Sequence, residues 1–275
     1  MGSGGWRTGR RLAAIGLVVL APAVHAQDAE PGKAEVRFEG AVGLIVNRGS
    51  AFSGSSDIST SVTPAGFIRY GRFTLSGAGG FTTKNEDDVD RGFSGELLDR
   101  DDLRLSLSLR YDNGRKENDS PDLAGMGNIA PTGRARLIAR WRPAPDWRVN
   151  AGIGVDAVNG LGGLLVDGSV AREWRPGPGQ TFTLSAGLSG AGGNYMQTWF
   201  GVTPDQSAES GYPVYQPGSG LIGARLAAEW RAEFEYRLAG YVNVGVGRLL
   251  GPAADSPLTK RPGGTGLGAG LVWRF

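Results

Sequence analysis

The densest cluster of chemically capable side chains is a run of arginines: Arg134, Arg136, Arg140, Arg142 and Arg148. Guanidinium groups at alternating positions share one face of an extended chain. Lined along a pore, they attract anions. Acids fall on the same alternating positions of neighbouring segments, among them Glu96, Asp156, Asp167, Glu173 and Glu229. Matched charges of this kind read first as ion pairs in a hydrated interior, and second as a basic track guiding anionic solutes. Other chemistry is poorly supplied. The chain has no cysteine and a single histidine, His25, which excludes disulfides, thiolate and imidazole metal sites, Ser-His-Asp triads and haem ligation. Asp87, Asp88 and Asp90, and separately Asp99, Asp101 and Asp102, lack the spacing of a calcium loop and read as turn acids. No carboxylate pair stands out for acid–base work. The expectation is a non-enzymatic protein without catalytic residues, cofactor or metal.

The segments that carry these charges alternate with period two. Leu103, Leu105, Leu107, Leu109 and Tyr111 interleave with Arg104, Ser106, Ser108, Arg110 and Asp112. Trp147, Val149, Ala151, Ile153 and Val155 interleave with Arg148, Asn150, Gly152, Gly154 and Asp156. Each such stretch is a strand with one apolar and one polar face. No stretch shows a convincing 3.6-residue period. About 12 strands result, at 35–46, 60–70, 72–83, 90–99, 102–112, 133–143, 146–157, 163–175, 180–199, 219–231, 234–248 and 265–275, long enough for tilted membrane strands.

The first residues read as a targeting segment. Arg7, Arg10 and Arg11 precede an apolar run from Leu12 to Leu20, then Val24-His25-Ala26, so a signal peptide is expected at 1–26 with the barrel at 27–275. That segment takes three arginines and the only histidine with it. The 29 basic residues fall to 26 against 27 acidic ones, so there is no basic excess for nucleic acid. Glycine is 47 of 275 residues with no collagen period, which fits strands that bend and crowd.

Short turns alternate with long loops, as in outer-membrane barrels with tight periplasmic turns and longer external loops. Trp141, Trp147, Trp174, Trp230 and Trp273 sit beside the short turns or near the C-terminal Phe275. Together they read as an aromatic girdle at one headgroup layer. The fold class is therefore all-β: an antiparallel transmembrane β-barrel of about 12 strands with periplasmic termini, surrounded by outer-membrane lipid and lipopolysaccharide. Phe275 after alternating apolar residues resembles the C-terminal signal read by the barrel-assembly machinery.

One long loop carries a family resemblance. It runs from Asn194-Tyr195-Met196-Gln197-Thr198-Trp199-Phe200-Gly201-Val202-Thr203-Pro204 through Gln206, Gly211, Pro213 and Tyr215 to Gly220-Leu221. This run resembles the signature loop of the MipA/OmpV family, with Trp199 in place of the usual Tyr. Leu249 to Leu258 and the Asp119-Ser120-Pro121 stretch through Met126 resemble two further family segments, with Pro252 where an acid is common. The resemblance implies a Gram-negative outer-membrane barrel. It also implies a scaffold or interaction role toward a lytic murein transglycosylase and a peptidoglycan synthase. A narrow diffusion channel for small, anionic solutes and a surface adhesin are the alternatives. The loop itself reads as a folded cap, stiffened by its prolines and filled by its aromatic residues.

Overall fold

The structure is a computed structural model, and it describes residues 38–77, 91–158, 162–234 and 237–275. The expected signal peptide, the acidic run at 87–90 and the second half of the third expected strand lie outside the described residues. Twelve strands form one closed antiparallel barrel: β1 (Phe38–Ser50), β2 (Ile58–Tyr70), β3 (Phe73–Ser76), β4 (Gly92–Asp99), β5 (Leu103–Asp112), β6 (Thr132–Ala144), β7 (Trp147–Asp156), β8 (Leu164–Trp174), β9 (Gln180–Ala191), β10 (Gly220–Glu233), β11 (Leu238–Leu249) and β12 (Gly263–Arg274). Neighbours in sequence are neighbours in the wall. β12 closes on β1 from Ala41↔Arg274 to Arg48↔Leu267, and the backbone of Phe275 exchanges two hydrogen bonds with Gly40. Both ends of the barrel wall therefore lie at the end with the short turns, called here the turn end. The opposite end carries the loops.

Register sorts the side chains. Between β5 and β6, Leu107 faces Leu137 and Leu109 faces Ala135 on the outside. Arg104 faces Arg140, Ser108 faces Arg136 and Arg110 faces Arg134 on the inside. Leu44, Leu107, Leu226, Val242 and Leu271 are all exposed, as are Trp141, Trp230 and Trp273. An apolar belt running round the barrel wall is untenable in water and suits hydrocarbon. No helix among the described residues is long and apolar enough to cross a membrane.

The inner wall has two textures. Near the turn end Ala41, Ile45, Ala65, Phe67, Tyr241 and Val272 pack into an apolar cluster inside the lumen. The Tyr241 ring needs glycine opposite: a Cβ on Gly270 would lie 2.5 Å from it. On the far wall the Arg136 side chain crosses β7 above Gly152 and Gly154, where added Cβ atoms would meet it at 2.5 and 2.7 Å. Glycine there lets one strand's guanidinium reach across the next to Asp167 on β8.

Two expectations change. The ninth strand ends at Ala191 rather than 199, because Gly192-Gly193 releases the chain into a helix, α1 (Gly193–Phe200). A 3.6-residue period is thus present after all, in the buried pair Met196 and Phe200. In β10 the register shifts between Leu221 and Gly223. Strict alternation along the expected strand 219–231 would put Ile222 on the outer face with Leu226; it packs with the cap instead.

Substituting Gly152→Val should push Arg136 off its path to Asp167 and lower stability by about 1–3 kcal/mol. Urea unfolding of the barrel in detergent measures this; an unchanged midpoint would contradict the packing described.

Candidate functional site

The loops at the long-loop end fold together into a cap. Besides α1, it contains α2 (Pro204–Ser210), α3 (Gly251–Ala254) and two short 3-10 turns at Glu117–Asp119 and Pro121–Leu123. Sequence dictates each boundary. Thr203 and Gln206 form a reciprocal capping box around Pro204 at the start of α2, and Gly211 ends it in the left-handed conformation at φ 77°. Ser120 caps the second 3-10 turn through the amide of Asp122. Gly125 adopts φ +77° where α2 comes so close that a Cβ would lie 2.6 Å from the Ser210 nitrogen. Only glycine satisfies both demands.

Two small apolar cores hold these pieces. Met196, Phe200, Ala191 and Ala253 are buried together, with Leu165, Ile222 and Leu249 of the barrel wall packed against them. Met126, Val202 and Leu258 form the second, flanked by Tyr212 and Tyr215. Polar bonds stitch one loop to the next. The buried Arg115 guanidinium donates to the Trp199 carbonyl at 2.9 Å. Gln206 Nε2 donates to the Met126 carbonyl at 2.8 Å, and the Tyr212 hydroxyl donates to the Asp122 carbonyl at 3.1 Å. The Tyr215 hydroxyl donates to the Pro252 carbonyl, Ser256 Oγ to the Phe200 carbonyl and Ser120 Oγ to Asp57. Lys260 sits 4.1 Å above the Tyr212 ring. Tyr195, Trp199, Phe200, Pro204, Gln206, Gly211, Pro213 and Tyr215 of the signature loop all lie in this cap. Tyr195 and Trp199 stack on α1 at 5.7 Å, Tyr215 bridges to Val202, and Pro213 is exposed on the cap surface. Trp199, at the end of the expected ninth strand, instead lies on α1, because the strand has already ended.

The five track arginines divide between two places. Arg134 is fully buried below the cap. Its Nη1 donates to the Gly162 carbonyl at 3.3 Å and its Nε lies 3.6 Å from Asp112, close enough for attraction but not a hydrogen bond. Its guanidinium stands 5.5 Å from the Tyr195 ring, a desolvated cation–π contact of about 2 kcal/mol. Arg136 is bound to Asp167. Near the turn end Arg140 donates to Ser106 Oγ at 3.2 Å and Arg148 pairs with Glu173 at 3.0 Å. Arg142 bonds through its backbone N–H to the Asp102 carbonyl. Arg104 joins them, 3.0 Å from Asp99. Asp99, Asp101, Asp102, Arg100, Arg104, Arg140, Arg142 and Arg148 together line a cavity of 450 Å³ at the turn end.

The expected girdle residues Trp141, Trp147, Trp174, Trp230, Trp273 and Phe275 are all exposed on the outer face at that same end. Arg172 adds a contact that the alternation did not single out: its guanidinium lies 5.5 and 5.2 Å from the Trp147 and Trp174 rings. Its outward position beside two tryptophans was the available signal. Also missed was Arg115, whose loop position gave no sign that it would be buried.

Fold and site define a membrane-type β-barrel with a folded cap over its looped mouth and a charged opening at the other end. Residues 42–275 match the family described as MltA-interacting protein MipA, and the chain belongs to that family. No curated protein matches the chain. Among solved structures the barrel is similar to the NanC porin, at 9% identity and TM-score 0.43, covering 84% of this chain and 98% of that one. It is also similar to a bacterial polysaccharide outer membrane secretin, at 9% identity and TM-score 0.45, covering 86% and 98%. A third is the anion-selective porin from Comamonas acidovorans, at 8% identity and TM-score 0.38, covering 87% and 99%.

Burial pushes the Tyr195 phenol above its ordinary value near 10, with Asp112 adding to the rise and Arg134 and Arg110 opposing it. Burial, then Asp255, raises Tyr215 in the same direction. Because both are raised on folding, their contribution to cap stability is complete below about pH 10 and is lost as pH rises through the raised values. Near-ultraviolet circular dichroism from the stacked Tyr195–Trp199 pair should therefore fade above pH 10, and Tyr195→Phe should hold more of the signal. An identical alkaline profile in that variant would contradict the assignment.

Proposed function

We propose that this protein is a non-enzymatic scaffold of the Gram-negative outer membrane. The turn end and both termini face the periplasm, and the capped end faces outward. The observation that carries the reading is the cap: three helices and two buried cores lie over one mouth, held by side-chain bonds that link every cap segment. A barrel plugged this way is a poor conduit and leaves its turn end as the working surface. That end carries the charged 450 Å³ opening, which suits electrostatic recognition of a folded partner. The family's own description names interaction with MltA, so the partner proposed is a lytic murein transglycosylase of that kind, with a peptidoglycan synthase joined to the same assembly. The outer aromatic belt contacts outer-membrane lipid and lipopolysaccharide, and Phe275 addresses the barrel-assembly machinery.

A diffusion channel is the second reading, favoured by one observation. A cavity of 1270 Å³ remains inside the wall, lined by Asn150, Ser169, Gly187, Arg225, Gly247 and Gly264. In that reading the arginines from Arg134 to Arg148 would guide anions.

Purified transglycosylase should be captured saturably by the folded barrel in detergent. Replacing Arg100, Asp101 and Asp102 in the exposed β4–β5 turn with alanine should weaken capture about tenfold, or ~1.4 kcal/mol. Absence of capture by folded protein would overturn the scaffold.

A further inference from the structure

The inward arginines are not alike. Arg69, Arg104, Arg110, Arg134, Arg136, Arg148, Arg231 and Arg274 each stand within ion-pair distance of a carboxylate. Arg140 bonds to Ser106. Arg225 on β10 is different: among the described residues it has no hydrogen bond or ion pair, and its side chain is exposed to the lumen.

The wall around it explains why. Arg225 registers with Gly187 on β9 and Gly247 on β11. Its guanidinium lies over Gly245, where an added Cβ would stand 3.3 Å from Nε and 3.4 Å from Nη2. Its register partners on both neighbouring strands are glycines, so no side chain stands directly opposite it, and the charge projects into the 1270 Å³ cavity, which Arg261 also lines. The same ladder row continues through Gly187 to Ser169 and Asn150. Asn150 Nδ2 donates to Ser169 Oγ at 3.2 Å, which leaves the Ser169 hydroxyl hydrogen able to point into the cavity. Of the inward acids on this wall, Asp167 on β8 is engaged by Arg136, and Glu229 lies four residues along β10 toward the turn end.

We infer that Arg225 is the recognition group of an oxyanion-binding chamber inside the barrel, for a small solute bearing a carboxylate or phosphate. The planar fork of a guanidinium suits both groups in bidentate fashion. The glycine floor leaves room for the ligand beside it, and the Ser169 hydroxyl supplies a second donor from the same row. The chamber stands whether or not a partner docks at the turn end, because it draws on none of the turn-end residues.

Isothermal titration calorimetry of the detergent-folded barrel tests this, using sodium succinate and sodium phosphate at ionic strength held constant with sodium chloride. Saturable heat from either anion is expected. The tighter of the two names the source, carboxylate or phosphate. Arg225→Gln should weaken binding at least about tenfold, while Arg225→Lys should retain part of it. Arg172→Gln, on the outer face, should leave it unchanged. Heat-modifiable gel mobility shows that each variant is folded. No saturable binding of either anion by folded protein, or undiminished binding in Arg225→Gln, would overturn the inference.

Discussion

Backbone amides and carbonyls in hydrocarbon have no water to bond to, and that constraint organises this molecule. It is met by closing the ladder: β12 pairs with β1 along eight residues, and Phe275 ties back to Gly40. Closure leaves no sheet edge, but it creates an inside. Strand alternation then forces half of every strand's side chains into that inside. Everything distinctive about the protein is a solution to what those side chains do.

The solutions differ along the barrel. At the turn end, Phe67 and Tyr241 fill the lumen, the Tyr241 ring lying over Gly270. On the β5–β8 wall, arginines are neutralised by carboxylates of the same wall, Arg148 by Glu173 on the adjacent strand and Arg136 by Asp167 one strand further on. A buried guanidinium left without such partners would be costly. At the looped end, Arg134 is covered by Tyr195 of α1, so the cap and the lumen share one packed boundary. On the β9–β12 wall, glycine replaces side chains and leaves a chamber.

Much of this was legible in the sequence because period two is a strong signal. The alternation at 103–112 and 147–156 marks β5 and β7, and it marks Arg104, Arg110 and Arg148 as inward. Even the weak fourth strand is present, at Gly92–Asp99. The cap was less legible. α1 spans only two turns, so Met196 and Phe200 gave one repeat of a helical period and could be read as a continuation of β9. The bulge at Leu221/Gly223 moves Ile222 to the cap side, and no local residue pattern announces it. Pairing was hidden as well: alternation shows which arginines face inward, but not that β7 glycines let Arg136 cross to β8, nor that Arg225 is left alone. Those facts depend on register between strands, which turn lengths and closure set together.

If the cap seals the looped mouth, the barrel cannot conduct. Single-channel recording in planar bilayers, on protein shown to be folded by heat-modifiable mobility, tests it most directly. A sealed barrel leaves the membrane electrically silent under applied voltage. Discrete ohmic steps from the capped, intact chain would contradict it.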